Sequence, residues 1–177
     1  IKAKIADMTT NCYVDEAASY RAAKNIEDRI ALRESEGNSH HEAELKGDEE
    51  YAIECSILKV AASEDVQHCT DEGIQIFGGM GFSADAPVEK AWRDARIARI
   101  YEGTNEINRM LAVGMLIKKA MKGHVDLLGP ATKVGEELLG IPSFDTPDFS
   151  ELFAEEKDLL ARLKKVFLMV AGSAVQK

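Results

Sequence analysis

The chain has 177 residues, 45% of them apolar and 30% charged, with a net charge of -9 and a pI near 5.0. That length allows one well-buried domain, or one domain and part of another. The acidic balance argues against a nucleic-acid partner, because phosphate binding needs a basic face, and no uncharged apolar run reaches the roughly 18 residues of a membrane span.

Ile1, Ile5, Met8, Cys12, Ala23, Ile26 and Ile30 share one face at 3.6-residue spacing, so residues 1 to about 33 read as one long helix. Ile1 is already in phase with this stripe, and the chain is expected to continue before it. Residues 34–50 hold seven acids against one lysine, with two glycines, and read as a solvated loop or helix end. Tyr51, Cys55, Leu58, Ala62, Val66, Cys69, Gly73 and Ile76 then step by threes and fours, the pattern of a buried bundle helix ending at Gly78-Gly79.

A third helix is expected from Pro87, carrying Val88, Trp92 and Ala95 inward. A fourth opens after Gly103 and carries Ile107, Met110, Gly114, Ile117 and Met121 inward until Gly123. Beyond it, Pro130, Pro142 and Pro147 cluster with Gly129, Gly135 and Gly140 around a short helix near 131–139, which reads as linker. A last helix from about Pro147 sets Phe153, Leu160, Leu163, Phe167, Val170 and Ala174 at helical spacing, is expected to fill a core of its own, and is still in phase near Lys177. No strand alternation or fixed repeat is present, so the fold expected is all-α: an up-and-down four-helix bundle over 1–122, then a linker and the start of a helical extension over 123–177.

The three cysteines, Cys12, Cys55 and Cys69, show no C-x-x-C spacing and read as reduced core thiols of an intracellular protein. Asp65 and His68 have the i, i+3 spacing of a helical ligand pair with Glu64 and Glu72 nearby, but a bundle metal site needs a second such pair, and none can be assembled. No metal is expected. Arg93, Arg96 and Arg99 read as a solvated row.

Two turns carry the candidate chemistry. In YEGTNE, residues 101–106, Thr104 is placed to cap the following helix and Glu106 suits its first turn. Glu102 precedes a glycine at the same helix end and is either a surface carboxylate or a proton acceptor. In QIFGGMGF, residues 75–82, the glycines follow a helix and open no β-strand unit, so a dinucleotide fingerprint fails its context. What remains is a simple C-cap or a turn that a ligand can approach closely.

In combination the two turns are far more specific. The block QIFGGMGFSADAPVEKAWRDARIARIYEGTNEINR, residues 75–109, resembles the C-terminal helical domain of acyl-CoA dehydrogenases, with that family's glycine turn, P-V-E-K segment and Y-E-G-T turn in order and without gaps. IADM near residue 5 fits the same domain, and the resemblance covers roughly residues 1–122. It implies an FAD-dependent oxidation of the Cα–Cβ bond of a fatty acyl-CoA to the trans-2-enoyl-CoA, with electrons passing to an electron-transfer flavoprotein. By position Glu102 matches the catalytic base that removes the α-proton, and its backbone N–H the donor to the thioester oxygen. Members that lack Glu here place the base on another helix. Tyr101 and Gly103 match the substrate side of the turn. Gln75, Gly78, Gly79, Thr104 and Glu106 match positions that touch the adenosine and pyrophosphate parts of FAD, the glycine turn reaching a neighbouring subunit's FAD.

The same resemblance implies a homo-oligomer, dimer or tetramer, in the cytoplasm or, in a eukaryote, the mitochondrial matrix. Residues 34–50 are longer and more acidic than the family's common loop. The chain after residue 122 is similar to the added helical region of long-chain and very-long-chain members, which accompanies dimers and, in some, peripheral membrane association. The family's N-terminal helical domain and middle β-domain have no counterpart in these residues, so the chain alone is expected to be inactive. An acyl-CoA oxidase or other flavin enzyme of the superfamily, and a non-catalytic helical module for self-association, are the alternatives.

Overall fold

The computed structural model describes residues 1–140 and 150–175. Among these there are seven α-helices, one 3₁₀ turn and no strand: α1 (Lys2–Ser35), α2 (His40–Glu50), α3 (Ala52–Phe77), the 3₁₀ turn Gly78–Phe82, α4 (Pro87–Ile97), α5 (Asn105–Met121), α6 (Leu128–Leu139) and α7 (Ala154–Val175). The all-helical expectation holds. The chain divides into two compact units, Ile1–Met115 and Leu116–Lys177.

In the first unit α1 runs antiparallel to the whole of α2 and α3. Lys4 pairs with Glu72, Asn11 donates to Asp65 at 3.2 Å, and Arg29 meets Glu50 at 2.5 Å, so the contacts advance along one helix as they retreat along the other. Gly37, with a φ of 93°, turns the hairpin. Tyr51 separates α2 from α3 by a single non-helical residue with φ −99° and ψ 14°.

Residues 34–50 correct the sequence reading, because His40–Glu50 is a helix and not a solvated loop. Its start is a capping box: Ser39 Oγ accepts from the Glu42 N–H at 3.4 Å, and the Glu42 carboxylate accepts from the Ser39 N–H at 3.2 Å. Ala43 is fully buried, and Gly47 comes so close to α1 that a Cβ there would stand 2.9 Å from Ile30 Cγ1. Seven acids in the segment hide a two-residue apolar contact.

Helix α3 ends at Gly78, whose φ of 63° no β-carbon favours, and α4 begins with Pro87 in its first turn, as expected. Ala95 is buried and Val88 half-buried, but Trp92 remains 37% exposed and donates its indole N–H to Asp71 at 3.1 Å.

The buried faces of α3 and α5 are not the apolar ones. On α3 the buried residues are Ser56, Val60 and Ser63, and on α5 they are Asn105, Asn108 and Ala112. Ile107 and Met110, expected inside, are 57% and 76% exposed, and Met121 is 77% exposed. Likewise Ile1, Ile5 and Cys12 of the α1 stripe are exposed, and Cys55 and Val66 of the α3 stripe. Periodicity finds the most apolar face of a helix; whether this chain supplies a cover for that face is a separate matter.

In the second unit α6 packs against α7. Leu127 and Val134 are buried, and Gly172 lies against Ala131. Pro130 and Gly129 stand within the first turn of α6, where a missing N–H does no harm. Pro142 and the expected helix start at Pro147 lie outside the described residues; the helix there begins at Ala154. Leu160, Leu163, Phe167 and Val170 are all more than half exposed, so among the described residues they do not fill a core of their own. No helix among the described residues is long and apolar enough to cross a membrane.

Candidate active site

The turn between α4 and α5 is an outward excursion closed at its base, where the Asn105 N–H donates to the Arg99 carbonyl at 3.1 Å. Within it Glu102 has a φ of 53° and Gly103 one of 80°. A left-handed residue other than glycine costs roughly 1–2 kcal/mol, and such strain persists only where the surroundings over-determine it. Glu102 is exposed, and neither its carboxylate nor its backbone N–H makes a hydrogen bond or ion pair with a described residue. A strained backbone therefore holds out a free carboxylate and a free N–H from one residue. Tyr101, beside it, is 52% exposed.

What holds the turn lies on its inner side. The Asn108 side-chain amide donates to the Gly103 carbonyl at 2.9 Å and the Thr104 carbonyl at 3.2 Å, with the Glu102 carbonyl at 3.4 Å. From α3, the Lys59 ammonium donates to the Gly103 carbonyl and to Asn105 Oδ1, each at 2.8 Å. Asn105 is 1% exposed, and its amide nitrogen donates to Ser63 Oγ at 2.9 Å and to Glu64 at 3.2 Å. Arg109 completes the network on Glu64. Beside this pair, a groove of about 420 Å³ runs between α3 and α5, lined by Ser56, Val60, Ala61, Asn108 and Ala112 among others.

Thr104 caps α5, its hydroxyl accepting the Ile107 N–H at 3.3 Å. Glu106, exposed in the first turn, has its carboxyl held below the ordinary range, first by its own backbone N–H and then by the Thr104 hydroxyl. The other expected site residues lie elsewhere in the unit: Gln75 is exposed on the last turn of α3, and Gly78 and Gly79 are exposed where the 3₁₀ turn begins. Among the described residues a Cβ at either glycine would meet nothing within 4 Å. Phe77, Met80 and Phe82 around them are 55%, 62% and 82% exposed. No three or more of the described His, Cys, Asp and Glu residues gather into a metal-holding group. Asp65 instead accepts from Asn11, and Glu64 from Arg109. Arg93 of the basic row pairs with Glu89, while Arg99 Nε is buried without a partner among the described residues.

Lys59, Ser63, Asn105 and Asn108 escaped the sequence reading. The signal for them is a polar seam in otherwise apolar helices: Ser56, Lys59 and Ser63 at helical spacing on α3, and Asn105 and Asn108 three apart on α5.

Residues 1–116 match the family described as "Acyl-CoA dehydrogenase, C-terminal domain". A Bacillus subtilis protein, "Probable acyl-CoA dehydrogenase", is 40% identical over 174 residues, which is 98% of this chain and 29% of that protein. The human "Very long-chain specific acyl-CoA dehydrogenase, mitochondrial" is 34% identical over 81% of this chain and 17% of its own length. Among solved structures, an acyl-CoA dehydrogenase from Bacillus anthracis complexed with FAD superposes with a TM-score of 0.83 at 42% identity, covering 98% of this chain and 29% of that one. The chain thus spans under a third of the length of these relatives. It belongs to the acyl-CoA dehydrogenase family, as that family's C-terminal helical domain.

Proposed function

We propose that this chain is the base-bearing part of a flavin-dependent acyl-CoA dehydrogenase, with Glu102 taking the α-proton of a fatty acyl-CoA. The observation that carries the reading is Glu102 itself, strained at a φ of 53° and presenting a carboxylate and an N–H that no described residue uses. An α-proton of a thioester is far too weak an acid for a solvated carboxylate, so the site must stabilise the enolate-like charge and exclude water. The Glu102 N–H is free to donate to the thioester oxygen as that charge develops. Gly103 matches the substrate side of the family's turn, and a Cβ on it would point inward, 3.0 Å from Asn108 Nδ2, so glycine lets the turn close behind Glu102. Tyr101, exposed on the same turn, borders the substrate.

The residues present fit FAD at its adenosine end. Gln75, Thr104 and Glu106 offer an amide, a hydroxyl and a carboxylate to base and sugar, and Gly78 and Gly79 leave an open face for close approach. None of the five is cationic, so neutralising the pyrophosphate falls to groups other than these. When bound, FAD supplies the acceptor for the β-hydrogen, which leaves as hydride. The exposed apolar residues around the glycine turn suit its contact with a neighbouring subunit and hence with that subunit's FAD.

Residues 1–122 form the family's bundle in this reading, and 123–177 a linker and helical extension. The relatives support an acyl-CoA substrate and FAD, and the family resemblance implies a homo-oligomer and electron-transfer flavoprotein as the acceptor. In this reading the protein works in the cytoplasm, or in the mitochondrial matrix of a eukaryote. The chain spans under a third of its relatives, and in this reading it binds FAD weakly or not at all on its own and does not turn over.

The test uses the parent protein. It is mixed anaerobically with acyl-CoAs of rising chain length, and loss of flavin absorbance is followed for wild type and Glu102→Gln. Bleaching of wild type with a variant that binds substrate but barely bleaches supports the assignment. Equal bleaching moves the base elsewhere, and no bleaching with any acyl-CoA favours a non-catalytic module.

A further inference from the structure

We propose that Lys59 and Asn108 are positioning residues that aim Glu102, a role that rests on Glu102 being the base. Glu102 and Gly103 hold consecutive positive φ angles of 53° and 80°, and the hydrogen bond that closes the turn, from the Asn105 N–H to the Arg99 carbonyl, touches neither residue. The enforcement comes from across the unit. Both lone pairs of the Gly103 carbonyl are taken, one by Lys59 Nζ at 2.8 Å and one by Asn108 Nδ2 at 2.9 Å. A peptide unit is planar, so fixing this carbonyl fixes the plane joining Gly103 to Thr104, and the Asn108 contact with the Glu102 carbonyl restrains the plane before it. Glu102 stands at the end of these restrained planes, with the direction of its side chain and its N–H set together.

Stability alone does not explain the lysine. Lys59 is half-buried, makes no ion pair with a described residue, and spends its charge on two neutral oxygens, Gly103 O and Asn105 Oδ1. Its aliphatic stem would be matched by methionine. What methionine cannot supply is a charge-assisted donor reaching 44 residues along the chain to one chosen carbonyl. Asn108 acts from the other side: a Cβ on Gly103 would stand 3.0 Å from its Nδ2, so the clamp also demands glycine next to the base. Without the clamp the turn relaxes toward ordinary negative φ, and the carboxylate moves off the α-proton. A misplacement of about 1 Å is enough to lower a rate ~100-fold.

The experiment uses the full-length flavin-loaded enzyme with Lys59→Met, Lys59→Arg, Asn108→Ala and Glu102→Gln. Each is measured for kcat, KM, flavin content, melting temperature and the rate at which an acyl-CoA exchanges its α-proton with D₂O. Lys59→Met is expected to keep its flavin and its KM while kcat and α-exchange fall together by ~10- to 100-fold. Lys59→Arg, which can donate to the same oxygen, recovers most of the loss, and Asn108→Ala reproduces it. If Lys59→Met does not fold, Asn108→Ala is read by the same criteria. Unchanged kcat and α-exchange, or a kcat that falls only in proportion to lost flavin, overturns the positioning role. Glu102→Gln separates the two ideas: if it abolishes α-exchange while the other variants keep it, only the positioning role fails. If Glu102→Gln itself exchanges like wild type, the base assignment fails and the clamp with it.

Discussion

Arg109 grips Glu64 as a fork, with Nη1 on Oε1 and Nη2 on Oε2, each at 2.8 Å, and so ties the second turn of α5 to the middle of α3. These two bonds are the main reason that the Glu64 carboxyl is held down to about 2, against the opposing effect of desolvation and with help from the Asn105 amide. The Glu64 and Arg109 side chains are 35% and 55% exposed, so solvent screens the pair and its contribution to stability is small.

Between its folded and unfolded pKa values a depressed carboxyl binds its proton more readily in the unfolded chain, so acid favours unfolding there. The contribution of Glu64 is therefore complete above pH 4.5 and is lost as pH falls toward about 2. Melting temperature against pH should show wild type above Glu64→Gln at neutral pH, with the two curves converging at the acid end. Parallel curves throughout would mean that the pair contributes no proton-linked stability.

Gly103→Ala is expected to lower stability by about 1–2 kcal/mol, because its φ of 80° disfavours a β-carbon and Asn108 Nδ2 stands 3.0 Å from where that carbon must go. In the parent enzyme the same substitution should lower turnover by more than the loss of folded enzyme accounts for. Urea unfolding beside steady-state kinetics measures both.

How much of this was legible in the sequence differs from helix to helix. The long periods of α1, α3 and α5 give the helices, and Pro87, Gly78 and Gly123 punctuate them close to where they begin and end. The Y-E-G-T and Q-I-F-G-G turns locate the candidate site because Gly78, Gly103 and Thr104 answer local backbone needs, while Glu102 is set against one. The support for that turn is not local. Lys59 and Gly103 meet across 44 residues, and the seam of Ser56, Ser63, Asn105 and Asn108 looks from sequence like the solvent face of apolar helices. Residues that bury polar groups against each other reverse the usual pattern, since Asn105 is satisfied by Lys59, Ser63 and Glu64 and needs no water.

Helix α2 was legible and overlooked, for its N-S-H-H-E start is a capping box before a short helix of acids. Ser39→Ala should weaken that helix by about 1 kcal/mol, roughly a fivefold loss of amide protection, seen by hydrogen exchange across His40–Glu50. The Ser39 hydroxyl, and then its N–H, hold the Glu42 carboxyl below 4.5, so the cap is complete above that pH and weakens as acid protonates Glu42. Unchanged exchange in the variant would leave α2 held by Ala43 and Gly47 alone.

Gly172→Val tests the second unit. A Cβ at Gly172 would stand 2.7 Å from Ala131 Cβ, a short rigid neighbour that cannot rotate away, so α6 and α7 must move apart. The expected cost is about 1–3 kcal/mol, read as faster hydrogen exchange in Leu128–Leu139. Gly135→Ala, where a Cβ meets nothing within 4 Å, is the matched control and should leave exchange unchanged or slower.

Because the backbone at Glu102 is bent by donors that reach it from α3 and α5, the aim of its carboxylate belongs to the pairing of two helices and not to the loop that carries it. Unravelling the first turn of α5 releases Asn105 and Asn108 together, yet leaves the α1–α3 hairpin with its own ion pairs intact. The turn is in effect a thermal fuse. On warming, turnover in the parent enzyme should fade while the helices still give nearly all of their circular dichroism, and should return on cooling without any refolding of the bundle.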